Sequence, residues 1–486
     1  MVLQKKCEST PITGSIEYHQ PAEGLAMVIV SESAATLKSF IGKSGLSEFA
    51  ATMVLRMVLA FILHRGRMSC CQASGSIASE AIHRGQLTTF LARPRWQKND
   101  FNDPHRRMLL QLESTRGKFV FVIDATLVSQ AGGKTENTMN CSHGRRGATT
   151  SSTKSKRGKR VRPKVRAKVC HSFTFGLLIT PSGYRIPWQI PHYTKEYCQK
   201  KGLSHRTTAE AAADLIRGLE LPEDAEVIVL GDTAYDAAVV HQACEARCYT
   251  WIVPANPERV YEGQKGERPR LRSRLKDWTT LSLKTIRLQA STGQYAGYRR
   301  LSKWRVGPKQ KARVYYAWQE KRDVRSIGRV QLVFSTTKQN LQSAAPDDVK
   351  ILMTNATDLS VSDVIELYSL RWQIDLFFKE LKSTLGFSQY RFQKFDAVEA
   401  WVNTAITTVL FLETERAKRM QDRRLSAETR QRWATQRLHG LCVAYRQECD
   451  GRELKYMADR LKTSGGIEKL KRLLAAAIPV EFRATV

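Results

Sequence analysis

Two short apolar runs that end in aspartate constrain this chain more than any other feature. Phe119-Val-Phe-Val-Ile-Asp124 and Ala225-Glu-Val-Ile-Val-Leu-Gly-Asp232 read as strands with a carboxylate at or just past the C-terminal end. A continuous apolar run has no polar face, so it belongs in a sheet covered on both sides. Ligands and metals gather beyond the ends of such strands. Between the runs, residues 172–179, a Pro181-Ser-Gly turn and residues 184–188 predict a hairpin. Ala209, Ala212, Ala213 and Ile216 recur at helical spacing, which predicts a helix over 207–219. A second helix over 237–246 leads to the strand Tyr249-Thr-Trp-Ile-Val253. Strands alternating with helices in this way predict a mixed α/β layer.

A third carboxylate comes from a helix expected over 364–386, started by Asp358 or Ser362 and ended by Gly386. At about 100° per residue, Tyr368, Arg371, Asp375 and Lys382 share an arc of roughly 60°. Leu367, Ile374, Phe377, Phe378, Leu381 and Leu385 form an apolar stripe beside them, suited to docking on the sheet. Glu380 lies roughly 140° from Asp375 and cannot share a site with it. A plain i, i+4 salt bridge explains Arg371 with Asp375, but not the alignment of Tyr368 and Lys382. Three carboxylates from two strands and a helix can hold two divalent metals, Mg²⁺ or Mn²⁺, about 4 Å apart, across a phosphodiester substitution. Tyr368, Arg371 and Lys382 would then grip phosphates beside the scissile bond.

Charge says what such a site would meet. The chain has 486 residues, 78 Lys and Arg against 46 Asp and Glu, and a net charge of +32. That balance points to a polyanion. Residues 131–169 concentrate it, with twelve basic residues against the single acid Glu136. Lys154, Lys156, Arg157, Lys159, Arg160, Arg162, Lys164, Arg166 and Lys168 are its densest part, read as a flexible loop that orders on a phosphate backbone. The apolar stretch at 53–63 is interrupted by Arg56 and too short to span a membrane. Ten scattered cysteines with no Cys-x-x-Cys pair and no signal pattern suggest reduced thiols and a cytoplasmic protein. His241, Cys244 and Cys248 are spaced as on one helix, but lack a second ligand pair and read better as packed thiols than as zinc ligands.

Taken together, Val122-Ile-Asp124-Ala-Thr126, Val229-Leu-Gly-Asp232-Thr-Ala-Tyr235, Leu352-Met-Thr-Asn355 and residues 368–386 resemble bacterial insertion-sequence DDE transposases. The likeness is to the branch with a Tyr-x2-Arg-x3-Glu-x6-Lys signature, and Asp375 stands at the signature glutamate. Aspartate keeps the charge but is one methylene shorter. The resemblance covers about residues 119–390. It implies an RNase H-like mixed-sheet core with a β-rich insertion and helical flanks. It also implies a cut-and-paste enzyme using two Mg²⁺ or Mn²⁺ ions on Asp124, Asp232 and Asp375. Water frees a 3′-hydroxyl at the element end, a hairpin forms on the opposite strand, and the reopened end joins target DNA. A catalytically weak or inactive relative that occupies element ends as a repressor is the alternative. Partners would be double-stranded DNA and a second copy of the chain on paired ends, at the nucleoid.

The expected organisation follows. Residues 1–115 form a helical region that either recognises DNA or packs as a plain bundle, and 116–254 the first part of the core. Residues 255–350 form the β-rich insertion, 351–392 the core helix, and 393–486 a helical C-terminal region for dimerisation, DNA clamping or support of the core. By the same resemblance a flipped base stacks on a tryptophan of the insertion, for which Trp278, Trp304 and Trp318 are available, each equally explained by core packing.

Overall fold

The structure, a computed structural model, describes residues 28–64, 68–93, 101–130, 134–141, 168–263, 266–280, 283–289, 293–300, 312–338 and 348–477. The first apolar run becomes β1 (Phe119–Ser129), whose residues 119–123 are all buried. After it come β2 (Met139–Cys141), β3 (Lys168–Ile179) and β4 (Arg185–Pro191). The second run becomes β5 (Val227–Leu230), buried throughout, followed by β6 (Thr250–Pro254). Next are β7 (Lys284–Leu288), β8 (Arg313–Val324), β9 (Gly328–Thr336) and β10 (Lys350–Thr354). They make one sheet in the order β2-β3-β1-β5-β6-β10-β9-β8-β7, with β4 paired to β3.

Strands β1, β5 and β6 are parallel, so their C-terminal ends share one edge. Strand β10 runs antiparallel to β6, with Leu352 opposite Pro254. Its first residue therefore lies at that same edge. The hairpin forms as expected, with Ile179 opposite Arg185 and Gly183 at φ 76° in the turn. Strands β7, β8 and β9 pair antiparallel, and β9 pairs with β10, so they lengthen the sheet that holds β1, β5 and β6.

The N-terminal helices are α1 (Ala35–Gly42), α2 (Glu48–Leu63), α3 (Cys70–Ser74), α4 (Arg84–Ala92) and α5 (Asp103–Gln111). Within the core lie α6 (Lys195–Lys201), α7 (Thr208–Arg217) and α8 (Ala238–Glu245). Thr207 and Glu210 close a capping box at the start of α7. The third carboxylate sits on a pair, α9 (Val361–Ser369) and α10 (Trp372–Ser383). Then come α11 (Phe395–Gln421), α12 (Ala427–Thr435), α13 (Leu438–Leu461) and α14 (Ser464–Ala477). Helix α11 is long and apolar enough to cross a bilayer, yet most of it is buried, and α2, α4, α5 and β4 pack around it. It is a core helix.

Several expectations change. The helix read over 364–386 is broken at Arg371 and is capped by Ser360, not by Asp358 or Ser362. The basic loop is shorter than 131–169, because pairing of β2 with β3 takes up 139–141 and 168–170. Lys154, Lys156, Arg157, Lys159, Arg160, Arg162, Lys164 and Arg166 lie outside the described residues, and Lys168 opens β3. Cys170 is disulfide-bonded, against the expectation of reduced thiols, while seven other cysteines among the described residues are free. Trp318 is packed in the core, stacked on Phe334 at 4.0 Å, whereas Trp304 and the Trp278 side chain lie outside the described residues.

Behind α10, a buried ionic cluster ties the layers together. Glu413 of α11, 1% exposed, accepts from Arg300 through both guanidinium nitrogens and from Arg416 Nε at 3.1 Å. Arg416 Nη2 also donates to the Gly183 carbonyl at 2.6 Å. Burial alone would raise the Glu413 pKa, but Arg300 and Arg416 outweigh it and hold it to about 2, below the ordinary 4.5. Its charge thus stabilises the fold above the unfolded-state value, and that contribution fades as pH falls from 4.5 toward 2. We expect Glu413→Ala, which strands the Arg300 and Arg416 guanidinium groups, to cost about 3–5 kcal/mol in urea unfolding at neutral pH. The gap from wild type should narrow in acid.

Candidate active site

Each of the three acids is placed by its own element. The β1–β5 register pairs Val122 with Leu230. Asp124 and Asp232 lie two residues further along their strands, so the sheet brings both carboxylates to one edge. Asp124 Oδ1 accepts from the Ala125 N–H at 2.7 Å. Asp232 Oδ1 accepts from the Ala234 N–H at 2.9 Å and caps a short 3₁₀ turn, Thr233–Tyr235.

The helix pair supplies the third. Between α9 and α10 the backbone tightens to i→i+3 bonding: Arg371 N–H to Tyr368 O at 3.0 Å, Gln373 N–H to Leu370 O at 2.8 Å, and Ile374 N–H to Arg371 O at 3.2 Å. The apolar stripe docks as its spacing predicts, with Leu367, Ile374, Phe377, Phe378, Leu381 and Leu385 all buried. Two polar groups on the same helix are also buried. Gln373 Oε1 accepts from Arg185 Nη2 at 2.5 Å and from the Arg300 N–H at 3.0 Å. Glu380 pairs with Arg437 and lies 3.8 Å from Arg185, well away from the strand-end acids. Its separation from Asp375 is the one that helix geometry predicts.

Arg371 joins strand to helix. Its Nη1 donates to Asp124 Oδ2 at 3.3 Å and its Nη2 to Asp375 Oδ2 at 3.0 Å. The i, i+4 bridge to Asp375 exists, and the same guanidinium reaches the β1 acid. Burial lifts the Asp124 pKa to about 6; the charges of Asp232 and Asp375 add to the rise, while the Ala125 N–H and Arg371 oppose it. Burial works against the Arg371 charge too, but Tyr368 and the three acids outweigh it and raise its pKa. The Tyr368 pKa is raised by burial. Lys382 is also on this side: its Nζ donates to the Leu127 carbonyl of β1 at 3.0 Å, and burial lowers its pKa.

Two neighbours are not singled out by helix spacing or by charge pattern. Lys350, the first residue of β10, donates to the Tyr368 hydroxyl at 3.2 Å, with its ammonium 4.5 Å from the ring centroid. Only the antiparallel placement of β10 brings it here, and no motif announces it. Tyr235 is 1% exposed, and its hydroxyl has no hydrogen-bond partner among the described residues. It lies within electrostatic reach of Asp124 and Asp232. Its place in the Asp-Thr-Ala-Tyr motif was visible, but its burial was not.

The donor set at this edge is carboxylate oxygen, the chemistry that suits Mg²⁺ or Mn²⁺. The orphaned Tyr235 hydroxyl suits it as well, since water around an ion would satisfy that group. In this arrangement Arg371 supplies the positive charge between Asp124 and Asp375. No three His, Cys, Asp or Glu side chains among the described residues converge tightly enough to hold an ion. The three carboxylates match a divalent ion in donor type; as they stand, a guanidinium bonds two of them. His241, by contrast, stacks on Trp251 at 4.1 Å, and Cys244 is buried while Cys248 is exposed, which leaves no zinc site there.

Residues 200–411 match a family model described as the transposase DDE domain. That stretch carries Asp232, Tyr368, Arg371, Asp375 and Lys382, and it begins after Asp124. The match supports a transposase of the DDE type. No curated protein matches the chain.

The Arg371 bridge has a measurable consequence. Arg371→Met leaves Asp124 and Asp375 without their shared cation, which should cost about 1–3 kcal/mol at neutral pH. The Asp124 pKa is already raised, and losing Arg371 raises it further. The Asp124 part of the cost is therefore full above the variant's higher pKa, shrinks as pH falls from there toward about 6, and is small below it. Urea unfolding at about pH 8 and about pH 5 should show a larger deficit at the higher pH.

Proposed function

We propose that this chain is a transposase that cleaves DNA at the ends of an insertion element and joins them to target DNA. What supports this reading is the meeting of Asp124, Asp232 and Asp375 at one sheet edge, within a chain that matches the transposase DDE domain over 200–411. Asp124, Asp232 and Asp375 would hold the divalent cations, two per site by the resemblance. When bound, Mg²⁺ or Mn²⁺ supplies Lewis-acid stabilisation and an activated oxygen nucleophile.

The chain's own residues do the rest. Arg371, between the acids, neutralises charge on the scissile phosphate, and Tyr368 holds its hydroxyl toward the same space. Lys382, bonded to Leu127 three positions along β1 from Asp124, grips a flanking phosphate. Lys154, Lys156, Arg157, Lys159, Arg160, Arg162, Lys164, Arg166 and Lys168 would hold the duplex away from the reacting bond. The cut-and-paste course, with a hairpin on the flank and a dimer on paired ends, is the course we propose. Residues 1–115 and 393–486 serve as the DNA-binding and supporting regions, and the setting is the bacterial nucleoid in the cytoplasm.

One observation favours a second reading. Asp375 is shorter than the signature glutamate and is bonded to Arg371. A chain that cannot draw Asp375 onto a metal would bind element ends and repress movement.

The test is a nicking assay on a supercoiled plasmid carrying the sequences that flank the coding region, with Mg²⁺ or Mn²⁺. We expect wild type to nick and Asp124→Asn, Asp232→Asn and Asp375→Asn each to lose nicking by at least about 10²-fold while still binding DNA. Asp375→Glu should keep or raise activity. Binding without nicking, gained only in Asp375→Glu, would establish the repressor. Separately, neutralising the basic residues of 154–168 should flatten the salt dependence of DNA binding, by about 0.9 in log–log slope for each phosphate no longer neutralised.

A further inference from the structure

A third cation stands at the acid cluster, supplied by the sheet and not by the helix signature. Lys350 opens β10 at the edge where β1, β5 and β6 end. It is an exposed residue, and its ammonium lies 4.5 Å from the centroid of the Tyr368 ring. The one hydrogen bond of its ammonium among the described residues goes to the Tyr368 hydroxyl at 3.2 Å. No carboxylate among the described residues forms a salt bridge with it. Desolvation and the Arg371 charge lower its pKa, and Asp232 partly offsets them.

This is an unusual place for a lysine. Arg371 answers Asp124 and Asp375 through two bonds. Lys350 has no such answer, only the phenol it shares with Arg371, which also bonds Tyr368. Two cations converge on one hydroxyl, and the acids on the far side are taken by Arg371. The missing element is an anion outside the acid cluster that accepts from an ammonium and a phenol together. A non-bridging phosphate oxygen has that chemistry.

We propose that Lys350 and the Tyr368 hydroxyl form a clamp for one backbone phosphate of the DNA, next to the scissile one on the Asp232 side. The clamp rests on the transposase reading for its ligand, but it makes its own claim: that β10, as well as the α9–α10 signature, sets where the strand lies. Lys382, at the Leu127 carbonyl, would mark the other side, so the reacting bond is held between phosphate contacts from two elements.

The experiment reads binding, so it does not depend on cleavage. Duplexes covering the chain's footprint on the flanking sequence carry a single neutral methylphosphonate at each position in turn, and competition binding is measured for wild type, Lys350→Gln and Lys350→Arg. Wild type should be weakened at a small set of positions. Lys350→Gln should become insensitive at one of them, with its salt slope reduced by about 0.9, the value for one phosphate. Lys350→Arg should restore both. Urea midpoints of the variants show whether the fold is intact; if Lys350→Gln is unfolded, Lys350→Met with the same methylphosphonate series decides. A folded Lys350→Gln with the wild-type profile and slope would overturn the clamp and leave the transposase reading standing. A wild type that binds in this pattern but never nicks, even as Asp375→Glu, would remove the reaction and leave the clamp.

Discussion

Three carboxylates at one partly buried sheet edge repel each other, and the structure is organised around holding them there. Asp124 and Asp232 cannot move apart, because the parallel β1–β5 register fixes them. Asp375 is on a helix and could retreat. Arg371 prevents that by bonding Asp124 with one nitrogen and Asp375 with another. The residual strain is visible in Asp124, whose pKa burial and its two acidic neighbours keep near 6. Added positive charge at this edge would relieve that repulsion.

The helix carrying Asp375 is braced from behind by the same type of interaction. Gln373 and Glu380 face away from the site and take bonds from Arg185, Arg300 and Arg437. Arg300 in turn is held by Glu413 of α11, and Arg416 links that cluster to the Gly183 turn of the β3–β4 hairpin. One buried network therefore connects the insertion, the hairpin, α10 and α11. Breaking it leaves unpaired charge in the interior, a far larger penalty than losing a surface pair. The sheet does the complementary work: continuing through β10 into the insertion, it places Lys350 beside Tyr368.

Much of the site was legible from residue pattern. The runs before Asp124 and Asp232 have no polar face and had to be central strands, and the 100° rule sorted Tyr368, Arg371 and Asp375 from Glu380. What pattern could not give depends on partners distant in sequence. The break at Arg371 shows no Gly or Pro, and the guanidinium there bonds a strand acid 247 positions away. Lys350 arrives by antiparallel pairing alone. Helix α11 was visible only as the stripe Ala397, Trp401, Ala405 and Val409; its length emerged because Thr404, Thr407, Thr408 and Thr414 satisfy their hydroxyls and are buried with it. The Cys170 disulfide was not legible, because cysteine spacing alone does not say which cysteines meet.

The central claim is that Asp124, Asp232 and Asp375 form one cation site, with Arg371 holding part of its charge balance. The most direct measurement is Mn²⁺ binding to the DNA-free protein, followed by electron paramagnetic resonance of the free ion. The account predicts saturable binding by wild type, weakened by Asp124→Asn, by Asp232→Asn and by Asp375→Asn alike, and strengthened by Arg371→Met. Mn²⁺ binding that is unchanged in all three aspartate variants would contradict it.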